Sequence, residues 1–209
     1  MKRLFALILI LSLLLPVTYM QKAEAQRDPI GKTPYPTTIR IAVRENNISG
    51  TPDPRGRIIY VMNVNFEQYI RDVLPNEWMP SWKQESLKAG ALAVKMFAWY
   101  HHLHPVKISG YTFDVDNTVN FQVYRENTHQ PDTDAAFAAV HSLAYVEKNG
   151  DIFELNYRAG YQDNPNWQYR NAQKMAQWGS QYWAEHGKTY LQILQFYYEG
   201  RQLVRIPGR

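Results

Sequence analysis

One acidic residue stands apart from the rest. Glu77 sits in Pro75-Asn76-Glu77-Trp78-Met79-Pro80-Ser81-Trp82, among two prolines, two indoles and a methionine. Rigid apolar surroundings desolvate a carboxylate and raise its pKa, which is what a general acid needs at neutral pH. A place beside a helix N-terminus pulls the other way, because the macrodipole favours the ionised form. Residue types leave that contest open, and loop composition alone favours a plain surface carboxylate on a proline turn. His101, His102 and His104 form a second cluster. They lack the i, i+4 pair of a helical zinc site and have no acid beside them; at a helix end, cationic histidine simply complements the dipole. Asp114, Asp116 and Asn120 resemble a calcium loop stripped of its glycine and its bidentate glutamate, and read as a solvated turn. No G-x-S-x-G, Walker or dinucleotide motif occurs. With no cysteine, disulfides, thiolate nucleophiles, iron–sulfur clusters and cysteine zinc sites are excluded.

The elements that must hold these residues follow from period and punctuation. Thr37–Val43 alternates and reads as a strand, Glu45–Arg57 as a loop, and Ile58–Val64 as a second strand. Asn65 caps a short helix with Gln68 three residues on, Phe66, Ile70 and Val73 make its stripe, and Pro75 is expected to stop it. Ser81 and Gln84 spell a capping box for a long helix over about 82–103, whose Leu87, Ala91, Val94 and Ala98 share a buried face. Tyr111–Tyr124 reads as loop and strand, and Asp134–Ser142 as a short helix. Leu143–Glu147 and Ile152–Tyr157 flank Asn149-Gly150 as a hairpin. Ala172–Glu185, closed by Gly187, and Thr189–Tyr198 are the last two helices. Helices broken by short strands imply an α+β fold: a single compact domain with short antiparallel strands and about five helices.

Composition agrees with a folded, exported chain. Its 209 residues suffice for one or at most two small domains, and 45% hydrophobic with 20% charged residues excludes wholesale disorder. The N-terminus carries Lys2 and Arg3, an apolar run from Leu4 to Val17, and Ala23-Glu24-Ala25, the order of a signal peptide cleaved after residue 25. That run is short for a bilayer span, so no stable membrane anchor is expected after cleavage. Removal of Lys2, Arg3, Lys22 and Glu24 lowers the formal net charge of +4 by two, which weakens any nucleic-acid reading. Residues 26–36, rich in proline, read as a linker, and residues 37–209 as the domain.

Phe66–Trp82 and Glu85–Lys95, followed by Asp114, Gln122-Val123-Tyr124, Met175-Ala176-Gln177-Trp178-Gly179 and Gly187-Lys188-Thr189-Tyr190 through Tyr197-Tyr198-Glu199-Gly200, resemble the stage II sporulation protein D / LytB (amidase enhancer) family. The likeness runs in order over most of residues 60–200. It implies an exported protein of the cell wall, periplasm or medium that acts on peptidoglycan glycan strands as a lytic transglycosylase. The implied catalytic acid falls on Glu77. Lys95 falls on the family's helix arginine, keeping the charge but losing the planar fork; it would hold substrate or support Glu77. Gln122, Tyr124, Trp82 and Gln177 fall among the expected substrate-binding residues; packing under the helix is an equal reading for Trp82. Where many members carry Cys and His zinc ligands, this chain has Asp116, Asn120 and Phe121, so neither metal nor other cofactor is expected. Two family loops are eroded, at Arg158–Gln162 and Asn171–Met175. That erosion keeps a second reading alongside the first: a non-catalytic wall-binding module or an activator of a wall amidase.

Overall fold

The computed structural model describes residues 28–162 and 170–209. Strand β1 (Thr38–Arg44) pairs antiparallel with β2 (Ile58–Asn65), and β5 (Val115–Asp116) joins the other edge of β1 in parallel. β3 (Val106–Ile108) and β4 (Tyr111–Phe113) form a separate hairpin turned by Ser109 and Gly110. Both turn residues have positive φ (51° and 81°), the geometry that matches strand twist in a two-residue connection.

Helix α1 (Phe66–Glu77) leaves β2 without a linker. The Asn65 side chain accepts from the Glu67 and Gln68 amides, so the expected cap forms, but Gln68 turns to Asp72 instead of closing a box. Pro75 does not stop the helix. It lies in the last turn, and that turn is braced from outside: Asn76 Nδ2 and Thr128 Oγ1 both donate to the Asp72 carbonyl, while Asp72 Oδ1 accepts the Thr128 and His129 amides. Helical geometry therefore carries on to Glu77.

Helix α2 (Gln84–Leu103) is the axis of the molecule. From Ser86 to Trp99 every residue except Lys88 is buried, so its apolar stripe extends round the whole helix. α1, α3 (Pro131–Val140), α4 (Gln177–Glu185) and α5 (Tyr190–Tyr197) all pack on it. The expected Ser81–Gln84 box is absent: Lys83 is the cap residue, and its backbone N–H goes to Gln181 Oε1. Among the described residues, five helices and short strands give one α+β domain, as expected.

Three other expectations fail on long-range pairing. Asn149-Gly150 does make a tight turn, with Gly150 N donating to Glu147 O, yet β6 (Leu143–Val146) pairs with β9 (Gln202–Arg205) rather than with the segment after the turn. Residues 172–174 are not helical; Met175–Ala176 is β8, parallel to β7 (Tyr157–Arg158), and α4 starts only at Gln177. The strands are thus mixed rather than wholly antiparallel. Residues 28–36 are not a free linker: Pro29 bridges Asp151, and Tyr35 packs edge-on against Phe66 and Trp99. The expected signal segment, residues 1–25, lies outside the described residues.

Candidate functional site

Glu77 ends α1 and faces three donors from three distant parts of the chain. Val123 N donates to Oε1 (2.7 Å) and Gln177 Nε2 to Oε2 (2.8 Å). The Tyr157 hydroxyl is the third. Burial raises the Glu77 pKa above the ordinary carboxylate range, and the bonds from Val123, Gln177 and Tyr157 only partly offset it. No cation is among those causes, which is why burial wins. The Tyr157 ring is partly buried, and desolvation and the Glu77 charge push its pKa up, so it stays a donor.

The shell behind these groups fixes them. Gln122 Nε2 donates to the Tyr157 hydroxyl (3.1 Å) and Val94 O (3.3 Å), while its Oε1 accepts from Tyr69 (2.9 Å). Trp78 packs edge-on against the Tyr157 ring, centroids 4.9 Å apart. The space for that indole comes from Gly90: a Cβ there would lie 2.6 Å from the ring. Helix α4 then staples residues 77–83 through one face. Gln177 donates to the Glu77 carboxylate and to its backbone carbonyl, Ser180 Oγ accepts from Trp78 Nε1, and Gln181 takes the Lys83 amide. Positions i, i+3 and i+4 share a helix face, so one short helix reaches three consecutive points of the loop.

Two cavities of about 370 Å³ flank this centre. One is walled by Trp82, Trp178, Tyr182, Gln181 and Glu185, with the two indoles tilted together at 4.8 Å. The other is walled by Phe97, Phe121, Tyr157, the His101–Glu154 pair and Lys174. Glu77 is part of neither wall. It touches the second through Tyr157, and the first through Gln177, the neighbour of Trp178.

The expected binding residues divide sharply. Gln177 meets the acid directly, and Trp82 lines a cavity. Gln122 is fully buried with its amide spent on Tyr69, Tyr157 and Val94, so it positions Tyr157. Tyr124 is almost fully buried and stacked on Tyr69 (5.5 Å, 17°), with no open ring face for a sugar. Lys95 is wholly buried away from Glu77; its Nζ donates to Val140 O (2.8 Å), His141 O (3.1 Å) and Leu143 O, tying off the end of α3. Tyr157 and the Val123 amide were missed. Both reach Glu77 across tens of residues, and the one available cue was the tyrosine's place beside an eroded family loop.

The other titratable clusters are structural. His101 pairs with Glu154, His102 with Asp114 and His104 with Asp28, so the three rings diverge to three acids. Asp114 and Asp116 are buried beneath Arg40 and Arg44 of β1. Burial alone would raise the Asp114 pKa, but hydrogen bonds from His102 and Arg40 overturn that and hold it low.

Residues 54–146, which run from the loop before β2 through β6, match the model of the Stage II sporulation protein (SpoIID) family. That segment, a little under half of the chain, is what is similar to the SpoIID family. The matched segment carries Glu77, Lys95, Gln122 and Tyr124; Tyr157 and Gln177 lie beyond it. An uncharacterized protein of Brachyspira hyodysenteriae is similar, 45% identical over 67 residues, which are 32% of this chain and 18% of that protein. The SpoIID match ties the chain to a family with a cell-wall-related role in sporulation. Among the described residues, no helix is long and apolar enough to cross a membrane.

Proposed function

We propose that this chain is an exported SpoIID-type lytic transglycosylase that cleaves the glycan strands of peptidoglycan, with Glu77 as acid and then base. The observation that carries this reading is a half-buried carboxyl group, surrounded by neutral donors, whose pKa desolvation raises. Protonated Glu77 gives its proton to the glycosidic oxygen between MurNAc and GlcNAc, and that C–O bond breaks as positive charge builds on the muramyl ring. The resulting carboxylate then removes the proton of the same sugar's C6 hydroxyl as its oxygen bonds to C1. The product ends in 1,6-anhydro-MurNAc, and Glu77 regains its proton. One carboxyl group suffices because the nucleophile is internal, unlike hydrolases that need a second carboxylate for water. Gln177 and Tyr157 steady the ionised form between the two steps. The test is to incubate the mature protein with glycan strands stripped of stem peptides and to seek anhydro-ended fragments by mass spectrometry. Product from the wild type and none from Glu77→Gln supports the reading; equal product from both removes Glu77 from the acid role.

A second reading has its own support. Both Glu77 carboxylate oxygens already hold donors, and the residue stands outside the walls of the flanking cavities. On that reading the chain is a wall-binding module or amidase activator in which the carboxylate is a structural keystone. Glycan binding without cleavage would select it.

A further inference from the structure

A third cavity, of about 400 Å³, lies where α4 and α5 meet. It is lined by Arg170, Trp183, Lys188, Gln192, Gln195 and Phe196. Both other cavities described above hold an acid, Glu185 in one and Glu154 in the other. Among the described residues, this one holds two cations and no acid. Among the described residues neither Arg170 nor Lys188 has a carboxylate partner; Lys188 Nζ instead rides 5.2 Å from the centre of the Trp183 ring. Arg170 is exposed, but the chain next to it is pinned, since Asn171 N donates to Phe196 O (2.7 Å) and Gln173 N to Tyr197 O (3.0 Å). Trp183 and Phe196 meet at 5.0 Å and give the cavity an aromatic floor. Gln192 spends its Oε1 on the Thr189 amide in the α5 capping box, leaving its amide N–H groups as donors, and Gln195 adds another side-chain amide.

Two cations with no carboxylate partner among the described residues, over an aromatic floor and with amide donors at the rim, fit a sugar that bears an anionic group. We infer that this cavity binds the lactyl carboxylate of a muramic acid residue in a glycan strand that has lost its stem peptides. The inference rests on the glycan reading above and names the feature of the strand that is selected. Arg170 and Lys188 take the carboxylate, and Trp183 lies against the apolar side of the sugar. A strand with its peptide attached has that carboxyl locked in an amide, so the cavity favours the peptide-free form.

The test compares Arg170→Gln, Lys188→Gln and the double variant with the wild type, none of which touches the Glu77 centre. Binding is measured by calorimetry to three ligands: peptide-free glycan strands, the same strands with their carboxyls reduced to alcohols, and neutral chitin oligosaccharides of equal length. Anhydro-ended product is followed on the strands in parallel. The expected result is that the wild type prefers the carboxylate strands, that each single variant weakens this binding about threefold and the double variant about tenfold, and that the difference fades in high salt. Neutral ligands should bind wild type and variants alike. Equal wild-type affinity for carboxylate and reduced strands, or a double variant that binds as the wild type does, overturns the inference while cleavage by the wild type leaves the glycan reading standing. A wild type that neither binds nor cleaves any strand removes both.

Discussion

Two carboxyl groups in this molecule, Asp114 fully buried and Glu77 partly so, have opposite fates. Asp114 lies under the sheet with Arg40 Nε at 3.0 Å and His102 at 3.1 Å, and its pKa is held below the ordinary range. Glu77 lies at the end of α1 with an amide, a carboxamide and a phenol, and its pKa is raised. Both have hydrogen bonds to spare. What separates them is formal charge: a cation offsets the desolvation of a carboxylate, whereas neutral dipoles do so only in part. Burial with a cation makes a structural ion, and burial with neutral donors makes a group ready to carry a proton.

The contrast can be broken in several ways. The largest expected effect is Glu77→Gln, which keeps the shape and removes the proton; cleavage of peptide-free strands should fall by about 10²- to 10⁴-fold, the usual share of general acid–base catalysis, as read by anhydro-ended product. Next, Arg40→Met leaves Asp114 buried with only His102 and the backbone N–H of residue 40 as partners. Urea unfolding should show a loss of roughly 2 kcal/mol, below the value for a wholly buried pair because the Arg40 side chain is a third exposed. Gly90→Ala drives a methyl group into the Trp78 indole and through it disturbs Tyr157; a loss of about 1–2 kcal/mol in thermal unfolding is expected, with reduced cleavage. An unchanged melting point would mean that the indole is not wedged there.

The smallest effect is the sharpest, because it has a sign. Asp114 has a lowered folded-state pKa, so its contribution to stability is present above the unfolded carboxylate pKa of about 4 and fades as pH falls through the lower folded value. Glu77 has a raised one, so its contribution is complete below that same unfolded value and is lost as pH rises through the higher folded value. Stability of the wild type minus that of Glu77→Gln should therefore decline from acid to neutral pH. The wild type minus Arg40→Met should grow over the same range. Parallel slopes would erase the distinction drawn between the two sites.

Much of the fold was legible because its signals are local. Asn65 announced α1, and the run from Leu87 to Ala98 announced α2. Failures came where a distant partner decides. Pro75 reads as a stop until Thr128 and Asn76 brace the turn, and Leu143–Val146 reads as half a hairpin until Gln202–Arg205, near the other end of the chain, takes its edge. The site divides in the same way. Glu77 was visible in its apolar neighbours, but the burial of Lys95, Gln122 and Tyr124 was not, since each is a polar residue on a motif and only packing shows that its polar atoms are spent inside. Tyr157 left no trace in spacing, because its bond to Glu77 joins parts of the chain far apart in sequence.

The face of α4 that holds Gln177, Ser180 and Gln181 has a consequence for how the acid behaves over time. A carboxyl group at the mouth of a proline turn would ordinarily wander with the turn. Here it inherits the stiffness of a helix clamped at three places, so heat should silence it only at the temperature where that helix melts, and not gradually beforehand.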